Sequence, residues 1–244
     1  MTSSPQSSKP TVVLVHGAWA DASSWNPVIV QLQAAGFAVF APPNTLRGVE
    51  SDAAALAAFL KPVSGPVVLV GHSYGGTVVS VASASDPNVK ALVYVDGFVP
   101  DTGESCLSLL ADGPPPPDDL FLPVPFATAA GGDADLYFNP KYYGAVFASD
   151  QPPAAASVMA VTQRPLTNSA LNGKAPATLG WKTIPSWYVL GDADLVIPPK
   201  TQLFMATRAK AQISHVPGGG HPNMLSHPDA TVAAIVAAAS ATSN

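Results

Sequence analysis

Short apolar runs bounded by Gly and Pro recur along the chain at residues 11–15, 37–40, 67–70, 91–95, 186–190 and 212–216. They are rich in Val and lack strict alternation, the pattern of strands covered on both faces. Helix-like segments lie between most of them, at 27–35, 51–60, 74–83, 200–210 and 228–239. The first has Asn26 as its expected N-cap, Pro27 at the first helical position and Gly36 to close it. Strand alternating with helix predicts an α/β fold built on a mostly parallel, doubly wound sheet.

One stretch breaks this rhythm. From 97 to 182 no strong strand signal occurs, Pro is dense (114–117, 123, 125, 140, 152, 153, 165 and 176), and aromatics cluster from Phe121 to Phe147. Structureless connections beyond about 15 residues are uncommon inside compact domains, so this one reads as a functional insertion such as a lid. A disordered linker would rarely carry so many aromatic residues. The expected division is a core of 1–98 and 183–244 with a cap at 99–182.

Composition narrows the function. The 244 residues include 11 Lys and Arg against 16 Asp and Glu, a net charge of -5 with no basic cluster. That removes the counterion-release contribution to nucleic-acid binding. The longest apolar runs, at 11–15, 53–60 and 232–239, fall short of the roughly 20 residues of a membrane-spanning helix. The polar, Ser-rich start has no secretory apolar stretch, and the single Cys106 permits no internal disulfide and no thiolate zinc site, so a cytoplasmic protein is expected. At 48% hydrophobic residues the chain is long enough for one well-cored domain. No cofactor is expected, and homodimer formation is left open.

The sharpest local signal is Gly71-His72-Ser73-Tyr74-Gly75-Gly76, placed between an apolar strand and a predicted helix. There the pattern G-x-S-x-G describes a strained turn that lifts the serine hydroxyl above the sheet. A serine becomes nucleophilic only when a base takes its proton. With this turn the order along the chain is Ser, acid, His, which removes His16 and His72 as the base. Of the later histidines, His215 lies in the last strand and His227 precedes a helix, whereas His221 ends the loop Gly218-Gly219-Gly220 and is the expected base. The acid belongs on a loop after a strand. Asp194 in Gly191-Asp192-Ala193-Asp194 is favoured, with Asp192 and Asp96 as competitors. An oxyanion hole needs two N–H donors. Tyr74 supplies one, and Ala18, in His16-Gly17-Ala18-Trp19 after the first strand, the other. Gly17, Trp19 and His72 are the expected substrate contacts, with Trp19 equally readable as a core aromatic.

In that order these motifs, with Gly191-x-x-Asp194-x-x-x-Pro198 and Gly220-His221, resemble the α/β-hydrolases. More narrowly, the chain resembles their cap-bearing branch of plant methyl esterases, hydroxynitrile lyases and small bacterial esterases. The resemblance runs from Thr11 to Ala239 and weakens over the Pro-rich stretch. It implies a helical cap inserted after the sixth strand, the triad Ser73, Asp194 and His221, and an oxyanion hole from the Ala18 and Tyr74 amides. The lyases usually have Thr where Gly17 stands and Lys after the catalytic His, where this chain has Pro222, so cyanide would lack its cationic partner. The expected activity is metal-free serine hydrolysis of small to medium, largely uncharged carboxylic esters. Lyase or carbon–carbon cleavage, lactonase or acyltransferase chemistry, and a non-catalytic binding role are the alternatives.

Overall fold

The computed structural model describes residues 9–113, 115–126 and 132–242. The polar start up to Ser8 and Pro114 lie outside them. Six strands form the main sheet: β1 (Thr11–Val15), β2 (Val39–Phe40), β3 (Val67–His72), β4 (Val89–Val95), β8 (Ser186–Gly191) and β9 (Gln212–Val216). Their order is β2-β1-β3-β4-β8-β9, and every neighbouring pair is parallel. Between β4 and β8 three further strands, β5 (Phe121–Pro125), β6 (Ala134–Phe138) and β7 (Leu166–Thr167), pair antiparallel as a separate sheet.

The near-continuous Val runs follow from burial on both faces. Along β3, Val67 and Leu69 point into one apolar cluster and Val68 and Val70 into another, and β1, β4 and β8 alternate in the same way. Helices α1 (Asn26–Ala34), α2 (Val49–Leu60) and α3 (Tyr74–Ala82) follow the first three strands. α2 and α3 cover the first cluster, with Leu56, Leu60, Val78 and Val79, and α1 covers the second with Val28 and Leu32. Each such side chain contributes about 1.5–3 kcal/mol when fully buried.

The insertion carries the short helices α4 (Cys106–Leu109), α5 (Pro140–Tyr142) and α7 (Asn168–Asn172) and the longer α6 (Pro153–Thr162). After β8 come α8 (Pro199–Arg208), α9 (Asn223–Ser226) and α10 (Pro228–Ala241). α8 packs on the first cluster through Met205 and Ala206, and α10 on the second through Ile235 and Ala238.

Three expectations change. The α1 cap lies earlier than Asn26: a 3₁₀ turn over Ala22–Trp25 runs straight into the helix, and Asp21 caps that turn by accepting the Ser23 N–H at 2.7 Å. The insertion contains a small sheet as well as helices. Pro123 and Pro125 argued against a strand, yet β5 is an edge, paired only with β6, where a residue without an N–H is tolerated. The insertion also follows the fourth strand among the described residues and not a sixth, because Thr11–Val15 is the first strand described.

Candidate active site

Ser73 stands alone between β3 and α3 with φ 51° and ψ -127°, a positive-φ backbone in keeping with the strained turn expected there. Backbone crowding explains the flanking glycine, since a Cβ on Gly71 would lie 2.6 Å from the Gly75 carbonyl oxygen. Of the four other described non-glycine residues with positive φ, Trp19 at 55° and Asp96 at 41° follow β1 and β4 at the same end of the sheet. Strain of this kind costs on the order of 1–3 kcal/mol per residue and gathers where a site is held in shape by its surroundings.

Three side chains far apart in sequence form one hydrogen-bonded row here. The Ser73 hydroxyl lies 2.9 Å from His221 Nε2, and His221 Nδ1 lies 2.8 Å from Asp194 Oδ2. A carboxylate only accepts, so Nδ1 carries the proton and Nε2 is left to accept from Ser73. Asp194 takes three more donors: the N–H groups of Val196 (2.7 Å) and Ile197 (3.0 Å) on Oδ1, and Gln202 Nε2 (2.7 Å) on Oδ2. Ser73 and Asp194 are each 2% exposed and His221 is fully buried.

The competing residues are engaged elsewhere. Asp192 faces the exposed His215 ring at 3.0 Å, and His227 Nδ1 contacts Ser226 Oγ at 2.9 Å. Asp96 is buried and accepts the Gly191 N–H at 2.7 Å; burial, reinforced by the neighbouring Asp194, pushes its carboxyl well above the usual range.

The loop after β1 lies against the serine. A Cβ on Gly17 would approach Ser73 Cβ to 2.6 Å, so only glycine fits this approach. The His16 ring fixes the loop: Nε2 accepts the Asn44 N–H at 2.9 Å, which leaves Nδ1 to donate to the Gly17 carbonyl at 2.8 Å. Burial lowers its basicity and favours this neutral form. Among the described residues the Ala18 N–H meets no acceptor. The Tyr74 N–H opens α3 and has no carbonyl one turn earlier to bond. His72 is fully buried and faces the His221 backbone, its Nε2 lying 3.0 Å from the His221 carbonyl.

Trp19 closes the upper side. Its N–H bonds to the Arg164 carbonyl and its indole Nε1 to the Leu136 carbonyl, each in the insertion. Phe147, fully buried in a π-helical turn over Tyr143–Phe147, sets its ring edge-on to His221 at 5.1 Å and to Trp19 at 6.2 Å. A cavity of about 200 Å³ opens beside this aromatic group, lined by Trp19, Asp21, Tyr143, Met159, Gln163 and Leu225.

Four contributors escaped the sequence reading: Gln202, Asn44, Phe147 and Asp150, whose carboxylate accepts the Gly220 N–H at 3.0 Å beside His221. Gln202 is in the first turn of α8 after the Asp194 loop, a placement the helix boundary makes legible. Asn44 and the two insertion residues match no spacing rule.

The alpha/beta hydrolase family profile matches residues 12–234. The chain belongs to the alpha/beta hydrolase family. It is 37% identical over 117 residues to a carbendazim hydrolyzing esterase of Nocardioides sp. (strain SG-4G), covering 43% of this chain and 48% of that protein. It is 25% identical to putative methylesterase 15 of Arabidopsis thaliana over 88% of this chain and 53% of the other. The chain thus spans about half the length of these two curated relatives. An alpha/beta hydrolase of Aspergillus novofumigatus, nvfD, is 27% identical over 92% of this chain and 94% of its own. In structure the chain is similar to polyneuridine aldehyde esterase, with a TM-score of 0.78 and 18% identity, covering 94% of this chain and 98% of the other. This last similarity is one of fold.

Proposed function

We propose that the chain is a serine carboxylic ester hydrolase with Ser73 as nucleophile, His221 as general base and Asp194 as the acid that orients it. The observation that carries this reading is the unbroken row Ser73–His221–Asp194, with both ring nitrogens of His221 engaged. Relatives whose names state ester hydrolysis support it.

Ser73 Oγ attacks the ester carbonyl while its proton passes to His221 Nε2, and Asp194 stabilises the resulting imidazolium. The carbonyl oxygen becomes negative between the Ala18 and Tyr74 N–H groups, with the N-terminus of α3 adding its favourable dipole. Imidazolium returns the proton to the departing alkoxide, leaving an acyl group on Ser73. Water, deprotonated by His221, then releases the acid and restores the serine. Gly17 lets the carbonyl approach, Trp19 walls the site, and His72 steadies the backbone of His221.

Residues 99–182 act as a cap over the core of 1–98 and 183–244. Ser73 is almost wholly covered, so an ester reaches it when this segment shifts. The aromatic group of Trp19, Phe138, Tyr143 and Phe147 suits small to medium, largely uncharged esters.

A fluorophosphonate probe and p-nitrophenyl acetate, applied to wild type and Ser73→Ala, test the reading. Wild type is expected to take up one phosphonyl group and turn over the ester, and the variant to do neither. A variant that remains active and labelled removes the serine mechanism.

A further inference from the structure

The insertion reaches the base, because one of its carboxylates grips the loop that bears His221. Asp150 Oδ2 accepts the Gly220 N–H at 3.0 Å and the Ser226 hydroxyl, and Oδ1 accepts Gln151 Nε2 at 3.0 Å. Gly220 immediately precedes His221, and Ser226 ends α9 just beyond it, so a single carboxylate bridges the two flanks of the His221 segment. The approach is close enough to select the residue at 220: a Cβ there would lie 2.8 Å from Asp150 Cγ and 3.0 Å from the Ser149 hydroxyl. From the same segment, Phe147 presses on the imidazole itself. From the core, loop 217–222 is held by His72 at the His221 carbonyl (3.0 Å) and by the Ala193 N–H at the Gly219 carbonyl (2.9 Å), and its three glycines leave the Gly220 N–H to the insertion.

We propose that Asp150 is a positioning residue for His221: it locks the loop only while the insertion is seated, so that assembly of the Ser73–His221–Asp194 row depends on closure over the substrate. This rests on the hydrolase reading above. Water entering an open site then meets a slack, less reactive serine. The part Asp150 plays is that of an acceptor, because both locking donors converge on one oxygen, and the single carbonyl oxygen of an asparagine has the two lone pairs needed to hold them.

The test compares wild type, Asp150→Ala, Asp150→Asn, Gly220→Ala and Ser73→Ala. It reads kcat and KM for p-nitrophenyl acetate, the rate of fluorophosphonate labelling, and the fraction of molecules finally labelled. Asp150→Ala is expected to lower kcat and the labelling rate about 100-fold, the scale of a misplacement near 1 Å, with KM within about threefold and the labelled fraction unchanged. Asp150→Asn is expected to restore both rates to within about fivefold of wild type. Should the alanine variant not fold, Gly220→Ala serves: its methyl wedges the loop from Asp150 and is expected to slow labelling about tenfold at full labelled fraction.

A wild-type labelling rate in Asp150→Ala or Gly220→Ala overturns the proposal. So does an asparagine variant as slow as alanine, or a labelled fraction that falls in step with kcat in both Asp150→Ala and Gly220→Ala, which marks a purely structural role. Failure of the hydrolase reading is separate: it is seen as labelling or turnover in Ser73→Ala, whatever Asp150 does.

Discussion

The Tyr143 hydroxyl donates a 2.7 Å hydrogen bond to the carbonyl of Trp19, tying the insertion to the loop that follows β1. Both residues are buried, so the Trp19 carbonyl loses its protein donor when the phenol is lost. Tyr143→Phe keeps the ring against Phe138 and Phe147 and deletes only this bond. An unpaired buried carbonyl costs about 1–3 kcal/mol, so the melting temperature should fall by about 2–12 °C in a thermal scan. An unchanged melting temperature would show that the two segments are not coupled through this contact.

The three candidate acids separate by substitution. Asp194→Asn leaves an amide that can no longer hold His221 in the required tautomer, and kcat should fall on the order of ten-thousandfold. Asp192→Asn disturbs only an exposed pair with His215 and should stay within about twofold. Asp96→Asn keeps an acceptor for the Gly191 N–H and should stay within about tenfold. Steady-state kinetics on one ester rank the three, and a severe loss at Asp192 or Asp96 with a mild one at Asp194 would reassign the acid.

Asp96→Asn has a second consequence, in stability. With its folded-state ionisation raised above the unfolded value, native Asp96 holds a proton that the unfolded chain releases. Rising pH therefore favours unfolding, from near 3.8 up to the folded value. The amide removes this liability, so the variant should gain stability over wild type by about 1.4 kcal/mol per pH unit across that window. Urea midpoints taken from pH 4 upward measure it, and a difference that nowhere grows with pH rejects the raised carboxyl.

His16 and His72 act in the opposite sense. Burial lowers both, most strongly His72, so the folded protein keeps them neutral while the unfolded chain protonates them below about pH 6.5. Their contribution is fully present above that value and drains away as pH falls toward their folded values, by up to about 1.4 kcal/mol per unit for each ring. Urea midpoints of Asp96→Asn, in which the opposing carboxyl is silent, should decline between pH 7 and 5. A flat profile would mean that one or both rings can be charged in place.

The strands and the Ser73 turn were legible because both write themselves locally. A doubly buried strand must be an unbroken apolar run, and the strained turn must have glycine where backbone crowds backbone. β9 spans 212–216 in both readings, and His221 and Asp194, expected from chain order and loop placement, are brought into one hydrogen-bonded row with Ser73. The insertion resisted for the converse reason. Its edge strand tolerates Pro123 and Pro125 because its pairing is one-sided, and the value of Asp150 comes from a loop 70 residues away in the chain. Nothing within a short window marks such a contact. His72 shows the same limit: adjacency to Ser73 suggested a role toward substrate, whereas its ring reaches the His221 carbonyl.

Because all six strands of the main sheet run the same way, every turn that bears a site residue emerges from one end of the molecule. The opposite end carries the connection 61–66, where Gly65 has no neighbour within 4 Å of an added Cβ. A tether grafted at Gly65 would thus anchor the protein to a solid support by its blind side, leaving the mouth turned toward the bulk liquid.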